Sequence, residues 1–569
     1  MSWQDSTHKF FERHISFKVA AALTVLLSLT VLLPVVLFGI PYFPDQIHHY
    51  QIASSYAQAI SNGDFFPSWA ADENFGYGGL GVRLYPPLSY YILALTHLAT
   101  GEWYWASLLT YAFWLSLGGF GIYLLAREFY SSNLALFASV IFAFMPYRFF
   151  ELYAATMYGE FAGCAVLPFS FYFVCRLCRE GKTLDLIGLS AAFAILIITH
   201  LPLAVIGSIC LFIFSLASLQ RGQIFRTVLR LASSVFISLI LSAFFWVRVL
   251  TERDWVAGNS IYPLPQLNYS KNFIFNLNDD VLRIEYFDLF FLLPLIFVTI
   301  SFLSYLFVNQ RKKTNYTASL VILFIFSSVM TLKISFPLWQ TFPLLQEVQF
   351  PWRFLTVTAI SGAILATAGW QHLILQMRSS KRPVILILGG GLFILIAFSF
   401  LQVARNSTFM SQNEFTRWRD DNDEVAGLEF WWTIWARREA VKPSEKVLAE
   451  DREIDIEKWT ATQREFNVSP GEPRQARIAI FYYPYWRAAI NDAQTEVNRS
   501  DDGAIILALP AEKASVRLFF QEPWWLKIIW KLSGIGWACL LLFGFFQLAK
   551  SIKILSNKRN ISDENVISI

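Results

Sequence analysis

The fold is decided by the apolar run FKVAAALTVLLSLTVLLPVVLFGI, residues 17–40, which is followed almost at once by the polar stretch YFPDQIHHYQ, residues 42–51. The run is long enough to cross roughly 30 Å of hydrocarbon at about 1.5 Å per residue. It is too long for the core of a signal peptide, and no small-residue cleavage site follows it, so it is interpreted as a retained first span. Asp45, His48 and His49 therefore lie where the chain leaves the membrane.

Similar apolar runs recur along the chain of 569 residues, of which 55% are hydrophobic and 15% charged. A soluble protein would carry nearer a quarter of charged residues. The runs predict an α-helical polytopic membrane protein with about twelve transmembrane helices. The predicted spans lie at about 17–40, 103–126, 132–147, 162–178, 184–201, 203–220, 228–250, 287–308, 316–333, 353–375, 383–403 and 525–548.

Basic residues between the spans indicate the orientation of the chain. If the N-terminus is cytoplasmic and the spans alternate, every dense basic cluster between spans falls on the cytoplasmic side. We therefore expect both termini in the cytoplasm. Because the basic residues are scattered in these small clusters, the net charge of +4 does not indicate a nucleic-acid partner.

The long segments between spans divide the chain. We predict a transmembrane domain at 1–403, whose first outer loop covers 41–102, a β-rich outer domain at 404–523, and a final span with a cytoplasmic tail at 524–569. A further outer segment lies at about 251–286. Within the first loop, YPPLSYYILALTHLATG is apolar but short, which indicates a re-entrant or membrane-surface helix.

The β-rich assignment rests on alternating apolar and polar residues, with the turn signal SDDG at 500–503. Such alternation is typical of half-buried strands, and a small sandwich is expected. The strand-like stretches are ARIAIFYY, AIILALP and ASVRLFF.

Polar and aromatic candidates converge on the outer face in this topology. Each also has a structural explanation, such as a helix start for an acid, a snorkelling arginine or an interfacial aromatic belt. The histidines form no HxH or HExxH pattern, so a zinc site made by the protein is not predicted. The candidate residues are Asp45, His48, His49, Trp69, Arg83, Tyr85, Glu151, Glu160, His200, Glu252, Trp352 and Arg353.

Several stretches together resemble the first outer loop of the GT-C superfamily, the integral-membrane glycosyltransferases that use polyprenyl-phosphate-linked sugars. They are the acid after the first span, GDFFPSW, NFGYGGLG and YPPLSYY. More narrowly, VQFPWRFL, the strand-rich outer domain and FYYPYW resemble bacterial membrane proteins described as 6-pyruvoyl-tetrahydropterin synthase-related, and the YfhO-type proteins.

The resemblance implies a function and roles for particular residues. The implied activity is transfer of a sugar from a polyprenyl-phosphate donor to an acceptor outside a bacterial inner (plasma) membrane. Asp45 matches the acid that acts on the acceptor, Glu160 or less well Glu151 matches a second acid, and Arg353 matches the arginine that meets the lipid phosphate. A divalent cation at Asp45 and Glu160 is one option, but no DxD-type pair accompanies it.

The remaining candidates are assigned to substrate binding. Carboxylates can take a proton from an acceptor, and an arginine can stabilise a departing phosphate. Aromatic rings can stack on sugar faces or line a groove for the lipid. The expected partners are the sugar-carrying lipid, membrane lipids and an acceptor that the sequence does not identify. The binding candidates are His48, His49, Trp69, Arg83, Tyr85, Glu151, His200, Glu252, Trp352 and Arg353.

Two alternatives remain open at this point. A transporter or lipid flippase predicts paired ionisable residues deep within spans, and the span centres here are nearly free of charge. A non-catalytic scaffold for envelope assembly predicts that the 404–523 domain, and not Asp45 or Arg353, carries the function.

Overall fold

The computed structural model describes residues 15–43, 46–219, 222–258, 268–275, 315–376, 394, 397–398, 400–422, 427 and 429–567. Within these residues, seven helices are long and apolar enough to cross a membrane, and one bent pair of helices would form an eighth span. The predicted class, a polytopic helical membrane protein, is confirmed. The predicted span 287–308 lies outside the described residues and 383–403 lies mostly outside them.

The helices follow the apolar runs closely. The spans predicted at 184–201 and 316–333 correspond to helices that are shorter than the roughly 20 residues of a full span. The helices are α1 (Phe17–Leu29), α2 (Leu33–Phe38), α3 (Gln46–Ser61), α4 (Gly81–Leu84), α5 (Leu88–Thr100), α6 (Trp103–Arg127), α7 (Ser132–Ala143), α8 (Pro146–Phe149), α9 (Tyr158–Arg179), α10 (Thr183–Thr199), α11 (Leu201–Ser218), α12 (Ile224–Glu252), α13 (Asn315–Met330), α14 (Phe336–Thr341), α15 (Pro343–Gln346), α16 (Leu355–Gln376), α17 (Gln412–Asn422) and α18 (Trp524–Ile567).

The helices differ in how deeply they are buried, and the most buried ones mark the centre of the bundle. The spans that contain α9 and α16 are the most buried of the seven, whereas that of α18 is almost wholly exposed. A helix that is apolar on all sides and buried belongs to the middle of a bundle, and an exposed apolar helix faces lipid. The short helix α5 has 13 residues and does not reach the length of a span. The residues at the ends of α9 and α16 are therefore candidates for a buried centre.

The β-rich region consists of two antiparallel sheets that share one core. The strand order is β3-β6-β10-β9 in one sheet and β4-β5-β11-β7-β8 in the other. Buried residues of both sheets, such as Ile478 and Val516, belong to the same apolar cluster. The strands are β3 (Val447–Leu448), β4 (Ile454–Trp459), β5 (Gln463–Val468), β6 (Arg474–Phe481), β7 (Trp486–Ile490), β8 (Ala493–Thr495), β9 (Asn498–Arg499), β10 (Ala504–Leu509) and β11 (Ala514–Phe520).

A third, two-stranded sheet follows the first span, where the sequence predicts that the span continues to residue 40. The helical segment ends at Phe38, and β1 (Ile40–Tyr42) pairs antiparallel with β2 (Thr408–Met410). Gly39 has φ +108°, and a side chain there would lie 1.9 Å from the Met410 carbonyl oxygen. Only glycine fits this turn, so the helix ends two residues earlier than its hydropathy indicates.

The middle of the first loop, residues 69–84, packs into the core of the β-rich region. Asn74 adopts the left-handed conformation that asparagine tolerates, with φ +57°. Its Oδ1 accepts hydrogen bonds of 2.8 Å from Gly427 N and from Trp432 Nε1. Phe481 N donates to the Tyr77 carbonyl at 2.9 Å. This part of the first loop and the β-rich region therefore share one core.

Candidate functional site

The first turn of α9 brings together five of the candidates, namely His49, Tyr85, Glu160, His200 and Arg353. The chain reaches this turn through α8 and a π-helical turn, Phe150–Ala154, and the pair formed by α7 and this segment is bent by 49°. π-Helical turns are frequent at functional sites. Three successive residues of α9, Tyr158, Gly159 and Glu160, then contact three different groups.

Glu160 holds Arg353 in a buried ion pair. Arg353 Nε donates to Glu160 Oε2 at 2.7 Å, and Tyr147 donates its hydroxyl to Glu160 Oε1. The side chain of Glu160 is 1% exposed and that of Arg353 is 9% exposed. Arg353 Nη1 also donates to the Val348 carbonyl at 2.5 Å. Because a buried charge is stable only when it is paired and hydrogen-bonded, these contacts fix the guanidinium in place.

The position of Arg353 follows from the sequence QFPWRF. Gln349 has φ +66°, and Pro351 begins a 3₁₀ turn, Pro351–Phe354, that leads into α16. The guanidinium carbon lies 4.7 Å from the centre of the Phe350 ring, which stacks on Trp352 at 4.5 Å. The stacked rings form an apolar wall beside the cation, as expected of a cation–π arrangement. Trp352 is fully buried and therefore lines the site from within the core.

Gly159 brings His200 and Tyr85 to the same turn. A side chain at Gly159 would lie 3.5 Å from His200 Cδ2 and 3.6 Å from the Tyr85 ring. His200 is buried in the connection between α10 and α11, and its Nδ1 accepts a 3.3 Å hydrogen bond from Leu203 N. His200 also faces Gly163, where a side chain would lie 2.9 Å from His200 Cβ. His200 and Arg353 therefore contact the start of α9 from two different connections.

Tyr158 completes an aromatic cluster with His49, Tyr85 and Tyr90. His49 Nδ1 and the Tyr90 hydroxyl are 2.6 Å apart, and their rings stack at 5.8 Å. The Tyr158 ring lies 6.1 Å from His49 and 5.8 Å from Tyr90. Tyr85 packs edge-on against Tyr90 at 5.3 Å and against Trp431 of the 429–431 turn at 5.2 Å. The cluster thus extends from α9 towards the β-rich region.

Glu151 belongs to a second buried pair one turn away. Arg148 Nη1 donates to Glu151 Oε2 at 3.0 Å, and the Cys164 thiol donates to Glu151 Oε1 at 2.6 Å. Cys164 Sγ is also 2.9 Å from Thr356 Oγ1 on α16. Together with Glu160 and Arg353, the two pairs carry balanced charge, which makes their burial tolerable.

Arg83 and Glu252 lie in a different cluster. Arg83 donates hydrogen bonds to Glu252 from Nε and from Nη2, the second at 2.7 Å. Its Nη1 donates to Glu522. The Tyr483 hydroxyl donates to Glu252 at 2.5 Å, and Arg248 donates to Glu522 at 3.0 Å. Burial alone would raise the pKa of the Glu522 carboxyl, but Arg83 and Arg248 outweigh it and lower that pKa. This network connects the first loop, α12, the β-rich region and the start of α18.

The remaining predicted residues lie apart from Arg353 or outside the described residues. Trp69 is buried against Tyr483, Trp486 and Phe520 in the core of the β-rich region. His48 Nδ1 lies 3.1 Å from Gln51 Oε1 on its own helix. Asp45 lies outside the described residues.

The described part of the chain contains no set of side chains arranged to bind a divalent cation. There, no group of three or more histidine, cysteine, aspartate or glutamate residues is arranged to hold an ion. Both oxygens of Glu160 already accept a hydrogen bond, from Arg353 and from Tyr147. The cation at Asp45 and Glu160 stays a prediction, because Asp45 lies outside the described residues, and no step below depends on a metal ion.

Several residues of the site were not predicted from the sequence. Tyr90 belongs to the quoted motif YPPLSYY, and Tyr147 lies shortly before Glu151, so a signal existed in the density of tyrosines. Cys164 and Thr356 gave no signal, because a thiol or a hydroxyl in an apolar run is most simply read as packing.

These features define a multi-pass membrane protein with a buried polar centre beneath a β-rich region. Residues 82–404 match the family of the 6-pyruvoyl-tetrahydropterin synthase related domain, described as a membrane protein. The chain belongs to this family, as the sequence resemblance predicted. No protein of curated function matches the sequence at a significant level.

The solved structures that are similar to the chain at low identity include the following three. ArnT from Cupriavidus metallidurans, bound to undecaprenyl phosphate, is 14% identical, with a TM-score of 0.43 over 68% of this chain and 74% of its own. Arabinofuranosyltransferase AftD from Mycobacteria is 15% identical, with a TM-score of 0.46 over 72% of this chain and 29% of its own. The archaeal oligosaccharyltransferase AglB from Archaeoglobus fulgidus, in complex with an inhibitory peptide and a dolichol-phosphate, is 13% identical, with a TM-score of 0.38 over 72% of this chain and 56% of its own.

Proposed function

We propose that the protein is a membrane glycosyltransferase that transfers a sugar from a polyprenyl-phosphate donor to an acceptor on the extracytoplasmic face. The observation that carries the proposal is the buried Arg353–Glu160 pair beside an aromatic cluster at the first turn of α9. The resemblance of the first loop and of VQFPWRFL to the GT-C superfamily supports the same function.

Arg353 is assigned to the phosphate of the donor. A guanidinium has five N–H donors. Among the described residues, Arg353 uses one at Nε and one at Nη1, so donors remain for an incoming anion. Negative charge grows on the phosphate as the sugar leaves, and a fixed cation stabilises that charge without reorganising. Glu160 is a positioning residue in this assignment, because it orients the guanidinium.

The aromatic cluster is assigned to the sugar. Tyr85 and His49 are half-buried, whereas Tyr90 and Tyr158 behind them are buried. A sugar presents apolar C–H faces that pack on aromatic rings, and its hydroxyls need partners such as the tyrosine hydroxyls. The cluster joins the Arg353 site to the 429–431 turn, where an acceptor would approach from water.

Asp45 is assigned as the general base that takes the proton of the acceptor hydroxyl. The helix that follows it, Gln46–Ser61, carries His49 into the aromatic cluster. A carboxylate in this role contributes roughly 10²–10⁴-fold to the rate.

Asp45→Asn tests this assignment, because it keeps the size of the side chain and removes the base. We expect the rate of sugar transfer to fall by at least about 10²-fold. The measurement is single-turnover transfer by the full-length protein in liposomes with a radiolabelled polyprenyl-phosphate sugar, after correct insertion is verified. Asp254→Asn, at a side chain that is 91% exposed, is the matched control and should transfer as the wild type does.

Transfer at the wild-type rate by Asp45→Asn would remove Asp45 from the mechanism. If the wild-type protein moved the labelled lipid across the bilayer without releasing its sugar, the glycosyltransferase proposal itself would be wrong, and a flippase would take its place.

A further inference from the structure

A buried arginine in the β-rich region has two N–H groups that find no acceptor among the described residues. Arg464 lies on β5 and is 0% exposed, on the same inward face as Phe466 and Val468. Its Nη1 donates to the Gln463 carbonyl at 3.3 Å. Its Nε and Nη2 are buried and have no acceptor among the described residues. A buried cation without a counter-charge is strongly unfavourable. We therefore expect an anionic group to accept hydrogen bonds from Nε and Nη2.

Arg83 shows how the same two nitrogens, Nε and Nη2, bind a carboxylate. Nε and Nη2 of Arg83 bind the two oxygens of the Glu252 carboxylate side by side. These two N–H groups form a planar fork that matches the oxygens of a carboxylate or a phosphate. Arg464 presents the same fork without the carboxylate.

The surroundings of Arg464 suit an anionic ligand. The guanidinium carbon lies 4.8 Å from the centre of the Trp459 ring and 5.9 Å from that of Trp486. Trp486 Nε1 is a further buried donor without an acceptor in the described part of the chain. Burial lowers the pKa of Arg464 to about 10, against the opposing effect of the Asp72 charge. Asp72 belongs to the exposed surface of the first loop, and Trp69 of the same loop packs edge-on against Trp486 at 5.7 Å.

We propose that Arg464 forms an anion-binding site, between β5 and the first loop, that takes a carboxylate or phosphate group of a ligand. The site is separate from the Arg353 site and does not depend on the transfer reaction. The two tryptophan rings pack beside the guanidinium and keep water from competing for the fork, which strengthens a charged hydrogen bond. The site gives the β-rich region a binding role of its own.

The test is thermal unfolding of the full-length purified protein with inorganic phosphate or acetate, at an ionic strength held constant with chloride. One of the two anions should raise the Tm of the wild type by about 2 °C or more as it saturates the site. Arg464→Met should abolish this rise. Arg464→Lys, which keeps the charge without the fork, should weaken the apparent affinity at least tenfold. Arg517→Met, at a 49% exposed arginine on the neighbouring strand, should respond as the wild type does.

Absence of an anion-specific rise in the wild type would overturn the proposal, as would an equal rise in Arg464→Met. Asp72→Asn then identifies the partner. If the Asp72→Asn and Arg464→Met variants lose the same Tm and their combination loses no more, the counter-charge of Arg464 is Asp72 and not a ligand.

Discussion

Replacing Arg353 with methionine is expected to reduce sugar transfer by about 10³-fold or more, the range found when a charge-stabilising arginine is removed from a phosphoryl-transfer site. The change removes the cation assigned to the leaving phosphate. It also leaves the Glu160 carboxylate buried, with the Tyr147 hydroxyl as its remaining hydrogen-bond donor in the described part of the chain. The measurement is the single-turnover rate with saturating polyprenyl-phosphate sugar. Arg253→Met, at an arginine whose side chain is 64% exposed, should retain the wild-type rate.

Loss of folding is separated from loss of chemistry by a second variant. The double variant Arg353→Met with Glu160→Gln removes both charges, so it should be more stable than Arg353→Met alone while transferring no faster. Recovery of transfer in the double variant would mean that Arg353 acts only as the counter-ion of Glu160. In that case the phosphate would be bound elsewhere.

Replacing Arg83 with methionine is expected to destabilise the protein by about 3–5 kcal/mol, because it strips Glu252 and Glu522 of a buried partner. Arg83 and Glu252 are both 0% exposed. The same change should loosen the β-rich region from the helices, since the network joins the first loop, α12 and the start of α18. The measurement is denaturant unfolding in detergent, together with limited proteolysis in the connections that flank residues 447–520.

Arg474→Met is the matched control for this prediction. Arg474 pairs with Glu450 at the surface of the same region, at 2.6 Å and with its side chain 36% exposed. Exposed pairs contribute roughly 0–1 kcal/mol. If Arg83→Met left stability unchanged and reduced only transfer, Arg83 would belong to the substrate site, as its position on the outer face first indicated.

The sequence predicted the parts of this fold that depend on local pattern. Hydropathy identified the seven span-length helices of the described residues, and the alternation in ARIAIFYY and ASVRLFF identified β6 and β11. It did not predict the end of the first span at Phe38, because that end depends on the Met410 carbonyl, far along the chain, which approaches Gly39.

The site was predictable only as a set of residues on one membrane face. Glu160 and Arg353 are 193 positions apart, and their pairing depends on how α9 packs against α16. The same reasoning grouped Arg83 and Glu252 with them, although those two residues pair with each other beside the β-rich region. Topology assigns a side to each charge, whereas the choice of partner comes from tertiary packing that no periodicity encodes.

The most direct test of the central claim is a cryo-electron microscopy structure of the wild-type protein in lipid with undecaprenyl phosphate added. The account predicts phosphate density within roughly 2.7–2.9 Å of the Arg353 guanidinium, the distance of a charged hydrogen bond, with the prenyl chain leading away from the first turn of α9. Phosphate density bound to other residues, with Arg353 still held by Glu160 and Val348 alone, would contradict it.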